Sequence, residues 1–164
     1  MKYDKYKFFW KANDSGKDIQ LIFCDEYNRD YYLFTKECID SGFHQISLTA
    51  EIMLGFITSI SATENIVIEK IELMEEDSEE NNEINELVEA SRSNRGVFVE
   101  ILNRLQYLED ESSIEIKRVY FKEKINEQKS GLFYIQVNGL IGATSRELSS
   151  INKLEEYIKE TING

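Results

Sequence analysis

Proline is absent from the 164 residues, whereas average usage near 5% would supply about eight. The chain therefore has no proline-rich linker and no evident hinge between domains. A fold of about 150 residues buries roughly 68–70% of its unfolded surface, which is enough for one proper core. We expect a single domain over residues 1–164.

Long apolar runs are also missing. The longest, Ile52–Ile57, is far shorter than the ~20 residues that cross a bilayer. Residues 1–11, MKYDKYKFFWK, scatter charges among aromatic side chains and so lack the apolar segment of a secretory signal. These absences predict a cytoplasmic protein that does not enter a membrane.

Residues that hold metals and cofactors are few. The chain has one histidine, His44, and two cysteines, Cys24 and Cys38, whereas zinc takes three or four nitrogen and sulfur ligands. Two cysteines fit no disulfide framework, so we expect reduced thiols. The glycines match neither the P-loop nor the dinucleotide-binding pattern. The sequence therefore predicts no metal and no cofactor.

What the chain has instead is one strongly acidic segment. Residues Glu72–Glu89, ELMEEDSEENNEINELVE, contain nine carboxylates and no basic side chain. They carry nine of the twelve net negative charges, since the other residues hold 22 of the 31 acidic side chains and all 19 basic ones. The segment has no glycine, so it does not match the calcium loop of an EF-hand. Blocks of like charge are typical of solvated or interaction surfaces.

The first 35 residues have the alternation of half-buried strands. Residues 6–10 and 19–23 alternate apolar and polar side chains on either side of the polar turn Asn13–Gly16, which indicates a hairpin. A second polar segment, residues 25–30, precedes the aromatic run Tyr31–Phe34. We therefore predict an N-terminal antiparallel meander of three strands.

Helical spacing appears later. Residues 48–60 repeat an apolar side chain every four residues, with Thr49 as a helix cap, and an apolar stripe over residues 148–162 follows the capping box Thr144–Glu147. Residues 66–73 alternate like a strand whose phase slips near Lys70, and residues 114–125 and 132–137 are strand-like before the hairpin turn Asn138-Gly139.

The acidic segment is predicted to begin as a charged loop, residues 75–82, and to become helical near Ile84. The helical stripe is then interrupted at Ser91–Gly96, which indicates either two helices or one helix bent around a polar gap. Together these patterns predict an α+β domain with a mostly antiparallel sheet and about three helices, including a capped C-terminal helix.

The acidic segment is the leading candidate for function, and no residue is assigned a catalytic role. We predict that it binds a basic protein, such as a nuclease or another nucleic-acid-binding protein, because complementary charge steers encounter and rejects wrong partners. Immunity proteins that neutralise nuclease toxins and phage inhibitors that mimic nucleic acid share its size, acidity and lack of motifs. The predicted partner-binding residues are Glu75, Glu76, Asp77, Glu79, Glu80, Glu83 and Glu86.

Two alternatives stay open. A small intracellular enzyme or ligand-binding domain would assemble its site from scattered residues, namely Cys38, His44, Arg95 and Arg118, and a pocket lined by convergent polar groups would favour it. A single-stranded nucleic-acid binder would use the lysines that alternate with aromatic residues in segment 2–17. A net charge of −12 repels phosphate at long range, so direct nucleic-acid binding is the less favoured alternative.

Overall fold

The computed structural model describes residues 2–24, 30–60, 63, 65–75, 78–112 and 115–163. Within these residues the α+β class and the antiparallel sheet are confirmed, with five α-helices where about three were expected. A π-helical turn, Leu108–Ser112, continues α4. The strands are β1 (Asp4–Asn13), β2 (Gly16–Cys24), β3 (His44–Gln45), β4 (Ile66–Leu73), β5 (Ile116–Asn126), β6 (Lys129–Gln136) and β7 (Leu140–Ala143), and the helices are α1 (Tyr31–Asp40), α2 (Ala50–Ile60), α3 (Glu79–Ser91), α4 (Val97–Tyr107) and α5 (Ser150–Asn163).

The sheet has the strand order β2-β1-β7-β6-β5-β4, and the short β3 also pairs with β1. All of its pairings are antiparallel. Strand β1 therefore lies between β2, its hairpin partner, and β7, with Lys5 opposite Gly142. Strand β4 lies at the far edge of the sheet, and its outer side faces α3.

The third strand of the predicted meander is wrong, because Tyr31–Asp40 forms helix α1. The Asp30 carboxylate caps this helix by accepting a hydrogen bond from the Leu33 amide at 2.8 Å. Phe34 then packs edge-to-face on Phe9, with ring centroids 5.9 Å apart. Since Phe8 belongs to the main core and its neighbour Phe9 to a separate cluster, α1 covers the other face of the sheet.

The main core lies on the face covered by α2, α4 and α5. Phe121 stacks on Phe133 with centroids 4.7 Å apart, and Phe56 meets Phe121 edge-to-face at 5.8 Å. The tip of Tyr157 on α5 lies against Gly55 on α2, where a Cβ atom would be 1.8 Å from the Tyr157 hydroxyl. Glycine at this position therefore leaves room for the Tyr157 side chain.

Several local predictions are confirmed. Helix α2 is capped by Thr49, whose hydroxyl accepts from the Ile52 amide at 3.3 Å. The pairing of β4 with β5 shifts register between Ile68 and Lys70. The turn from β6 to β7 contains Gly139 at φ +86°, a left-handed conformation that favours glycine.

The capping box predicted for the C-terminal helix is wrong, although the helix itself is confirmed. Helix α5 begins at Ser150, beyond the Thr144–Glu147 segment. Its first amides are bound instead by the buried side chain of Glu123 on β5, which accepts from the amides of Ser149 and Ser150 at 2.9 Å each. A carboxylate from a distant strand therefore supplies the cap.

Candidate functional site

Helix α3 begins earlier in the acidic segment than the sequence predicts. The Ser78 hydroxyl accepts a hydrogen bond from the Asn81 amide at 3.1 Å, so the helix begins at Glu79. The predicted loop over residues 75–82 is therefore wrong for residues 79–82, which are helical. Glu76 and Asp77 lie outside the described residues.

The inner side of α3 is bonded to the edge strand β4. The Asn81 side chain accepts from the Leu73 amide at 2.8 Å, and the Asn85 side chain binds both the amide and the carbonyl of Ile71. Ile84, near the middle of the helix, and Val88, one turn later, are buried in the main core. These contacts fix the orientation of the helix, and therefore of its outer side.

Three of the predicted carboxylates lie on that outer side. At 100° per residue, Glu79, Glu83 and Glu86 fall within about 60° of the helix circumference. Glu79 and Glu86 are exposed, and Glu83 is partly buried. Glu80 lies about 100° around the helix axis from Glu79, and its side chain is partly buried. Glu75 is exposed and precedes the helix. We call the row Glu79, Glu83 and Glu86 the acidic ridge.

Helix α4 adds two side chains beside the ridge. The Arg104 guanidinium forms an ion pair with the Glu83 carboxylate at 2.5 Å, and it lies 5.5 Å from the centre of the Tyr107 ring. The Tyr107 side chain is 53% exposed. The sequence does not show that these two side chains lie beside the ridge, because no spacing within α4 shows which side of it meets α3.

The scattered residues of the enzyme hypothesis have separate surroundings. Cys38 packs against the cluster between α1 and the sheet, where Cys24 is buried, and no disulfide joins the two cysteines. The His44 ring stacks on Trp10, with centroids 4.1 Å apart and planes at 16°. Arg118 lies on β5, and Arg95 lies in the loop between α3 and α4.

Arg118 is held in a cluster of polar and aromatic side chains on the sheet. Its guanidinium lies 4.4 Å from the Tyr134 ring centre, donates to the Tyr120 hydroxyl at 2.7 Å and also donates to the Gln136 side chain. Burial by itself lowers the pKa of Arg118, but the Tyr120 hydrogen bond and the neighbouring tyrosines and Glu72 outweigh it and raise the pKa. The cluster therefore explains Arg118 as a structural cation.

A cavity of about 400 Å³ lies beside the outer edge of β4. This volume is within the range of about 300–1,000 Å³ that is common for ligand sites. Its wall is mostly apolar and includes Phe98 and Val99, and its charged lining residues are Arg92 and Arg95. Of the four residues in the enzyme or ligand-binding hypothesis, Arg95 is the one that lines this cavity.

The lysine and aromatic side chains of β1 do not form one stacking surface. Phe8 and Phe9 are fully buried on opposite faces of the sheet. Lys7 is also fully buried, and its ammonium group donates to the Asn138 carbonyl. Trp10 is covered by the Lys17 ammonium group, 4.6 Å from its ring centre.

No described helix is both long and apolar enough to cross a membrane. In the same residues, no group of three or more histidine, cysteine, aspartate or glutamate side chains is arranged to hold a metal ion. Comparisons with protein-family models, curated proteins and solved structures gave no significant match.

Proposed function

We propose that the chain is a non-enzymatic interaction protein whose acidic ridge binds a basic surface of another protein. One observation carries the proposal. The helix that presents Glu79, Glu83 and Glu86 outward is bonded on its inner side to β4 through Asn81 and Asn85. The carboxylates therefore project from a fixed backbone, which lowers the ordering entropy that binding requires.

The spacing of the ridge suits a row of basic side chains. At 1.5 Å per residue, Glu79 and Glu86 are separated by about 10 Å along the helix, with Glu83 between them. Exposed charges of this kind raise association rates and make them depend on ionic strength. Tyr107 supplies an exposed aromatic side chain next to the charges, and tyrosine is enriched among residues that dominate binding energy.

The proposed partner is a basic protein such as a nuclease or another nucleic-acid-binding protein, met in the cytoplasm. A ligand that covers its nucleic-acid site with carboxylates in place of phosphates would act as an inhibitor, in the manner of immunity proteins or phage inhibitors. The locally concentrated charge supports this class, since nine of the twelve net negative charges lie in Glu72–Glu89.

A charge-matched comparison tests the proposal. One variant carries Glu79→Gln, Glu83→Gln and Glu86→Gln. The control carries Glu147→Gln, Glu156→Gln and Glu160→Gln, which change the net charge equally at exposed positions away from α3. The control includes one paired carboxylate, Glu147 with Lys129, to match Glu83 with Arg104.

Each immobilised protein is incubated with native lysate at low salt and eluted with a salt gradient. We expect the wild type and the control to retain the same basic protein, and the ridge variant to lose at least tenfold in retention. Tyr107→Ala should weaken the purified complex by about tenfold or more, because truncating a central aromatic residue typically removes over 1 kcal/mol. An equal loss of retention in both triple variants, or no loss of retention in either, contradicts the proposal.

A further inference from the structure

The outer edge of β4 is only partly covered by α3. Side chains of Asn81, Asn85 and Arg92 bind the backbone from Leu73 to Glu69, where Arg92 donates to the Glu69 carbonyl at 2.8 Å. The strand begins three residues earlier, at Ile66. Between Ile66 and Ile68 the edge extends past the end of α3.

The backbone groups of Ile66 and Ile68 point toward this edge. The Lys124 amide donates to the Asn65 carbonyl at 2.8 Å, so Asn65 and, two residues on, Val67 direct their backbone groups at β5. Alternation along the strand then directs those of Ile66 and Ile68 outward. The Ile66 amide donates to the Thr63 carbonyl at 3.4 Å, and among the described residues no group from outside the sheet binds the Ile68 backbone.

The cavity described above adjoins this open segment. Ile66, Val67 and Ile68 form one wall, and Phe98 and Val99 form another. Val67 and Val99 are 40% and 59% exposed, so apolar surface remains in contact with solvent at the opening. An open strand edge beside an apolar cavity is the arrangement that binds an extended peptide by adding a strand.

The charged side chains that line the cavity have the opposite sign to the net charge of the protein. Both of its charged lining residues, Arg92 and Arg95, are cationic, although the net charge of the chain is −12. Arg92 donates to the Glu69 carbonyl and lies 3.7 Å from the Glu69 carboxylate, but this ion pair is exposed and contributes little, and a guanidinium has five N–H donors. Helix α4 begins beside them at Val97 without a side-chain cap, so its dipole adds positive potential. This complementarity favours an anionic occupant.

We propose that this site binds the C-terminus of an extended peptide from another protein. The peptide runs parallel to β4 and pairs with Ile66–Ile68, places an apolar last side chain in the cavity, and directs its terminal carboxylate to Arg92 and Arg95. A chain end fits because Arg92 occupies the strand edge beyond Ile68, so a longer peptide has no backbone left to pair with. The site lies at the opposite end of α3 from the start of the acidic ridge and has the opposite charge, so it is independent of the proposed function.

Labelled peptides test the chemistry of the occupant. The probes are fluorescein-labelled hexapeptides that end in Val, Ile, Leu or Phe, each made with a free carboxylate and as the C-terminal amide, and binding is followed by fluorescence anisotropy up to 1 mM. We expect the free acids to bind and the amides to bind at least tenfold more weakly. No binding by any free acid, or equal binding by acid and amide, overturns the proposal.

Backbone pairing is tested on the peptide, so that the protein needs no change in its core. N-methyl groups are placed on alternate amides, in two sets of opposite phase. Only the set that faces β4 should lose at least tenfold in affinity, and equal affinity for both sets overturns pairing with the edge. An amidated peptide with an internal aspartate that binds as tightly as the free acid overturns the assignment to a chain end.

Protein variants locate the site. Arg95→Gln and Arg92→Gln should each weaken binding of the free acid by tenfold or more and leave the weak binding of the amide unchanged. Arg92→Gln also removes the hydrogen bond to the Glu69 carbonyl and the ion pair with the Glu69 carboxylate, so the unfolding free energy of each variant is measured alongside its peptide affinity. The control is Arg146→Gln, an arginine that lines a different cavity and lies over the Phe23 ring. Equal losses in the control and in Arg95→Gln overturn the assignment.

Discussion

Asn85 binds Ile71 through a pair of hydrogen bonds of opposite direction. Its side-chain nitrogen donates to the Ile71 carbonyl at 2.7 Å, and its side-chain oxygen accepts from the Ile71 amide at 2.9 Å. The primary amide therefore offers β4 the donor and acceptor that a neighbouring strand would offer. Helix α3 closes this part of the sheet edge with side chains and is itself fixed in place by the same bonds.

Removing this side chain should destabilise the protein. Asn85→Ala leaves the partly buried amide and carbonyl of Ile71 without their partner, and we expect a loss of about 2–4 kcal/mol in the free energy of unfolding. Urea unfolding measures the loss. The control is Asn82→Ala on the exposed side of the same helix, which should change stability by less than about 0.5 kcal/mol. Equal losses in both variants would contradict the role assigned to Asn85.

The buried carboxylate of Glu123 is predicted to hold the start of α5. Glu123→Ala leaves the amides of Ser149 and Ser150 without their acceptor, so we expect a loss of about 2–4 kcal/mol. Hydrogen exchange at these two amides should accelerate more than exchange in the middle of α5. The control is Glu127→Ala, at an exposed glutamate in the turn between β5 and β6. It should leave the free energy of unfolding and the exchange rates of the two amides unchanged. Unchanged exchange at Ser149 and Ser150 in Glu123→Ala would rule out this cap.

The turn at Gly139 should not accept a side chain. A Cβ atom there would lie 2.1 Å from the Ile46 carbonyl oxygen, in addition to the strain of φ +86°. Gly42 has a similar φ of +93° but meets only the flexible Lys11 side chain. Gly42→Ala should therefore report the backbone strain alone, about 1–2 kcal/mol, and Gly139→Ala should cost more in thermal or urea unfolding. Equal costs would mean that the backbone of Ile46 moves aside freely.

The raised pKa of the Tyr3 phenol leads us to expect a loss of stability at alkaline pH. Burial, with a further contribution from Tyr120, raises its pKa above the ordinary value of 10.0, although Arg118 lowers it in part. The folded protein therefore holds this proton more tightly than the unfolded chain. The resulting stabilisation is complete below pH ~10 and is lost as the pH rises through the folded pKa.

Tyr3→Phe has no phenolic proton to lose, so its unfolding free energy should fall less steeply than that of the wild type above pH ~10. Urea unfolding between about pH 8 and pH 11 compares the two profiles. Parallel profiles across this range would show that Tyr3 does not contribute to the alkaline loss.

Elements with strong local signals could be predicted from the sequence. Helix α2 follows from its four-residue apolar repeat and Thr49, and the phase slip in residues 66–73 appears as the register shift beside Lys70. The break between α3 and α4 likewise follows from the polar residues Ser91–Gly96. In each case the residues that decide the structure are neighbours in the chain.

Elements whose partners are distant could not be predicted. The aromatic run Tyr31–Phe34 has the composition of a strand, but Asp30 caps a helix there and Phe34 packs on Phe9. The cap of α5 comes from Glu123, which precedes Ser149 by 26 residues. Tertiary contacts override local preference in both cases.

The same distinction between local signals and distant contacts applies to the candidate site. The charge of the ridge is visible in the sequence, but the outward direction of Glu79 depends on Ser78 capping the helix. The contacts of Arg104 with Glu83 and with Tyr107 depend on how α3 packs on α4, and the cavity at Arg95 depends on where α3 ends along β4. The spacing of residues along the chain does not reveal these tertiary arrangements.

Strand β1 pairs with β2 on one side and with β7 on the other, so the ribosome synthesises its second partner strand much later than its first. The Lys7 side chain meets the Asn138 carbonyl across a separation of 131 residues. At the usual rate of about 5–20 residues per second, a ribosome needs on the order of 10 s to deliver β7 after β1 has emerged. During that interval the first hairpin has made one of its two long pairings and offers the other edge to any nascent chain nearby, so chaperone demand should be greatest before β7 has been translated.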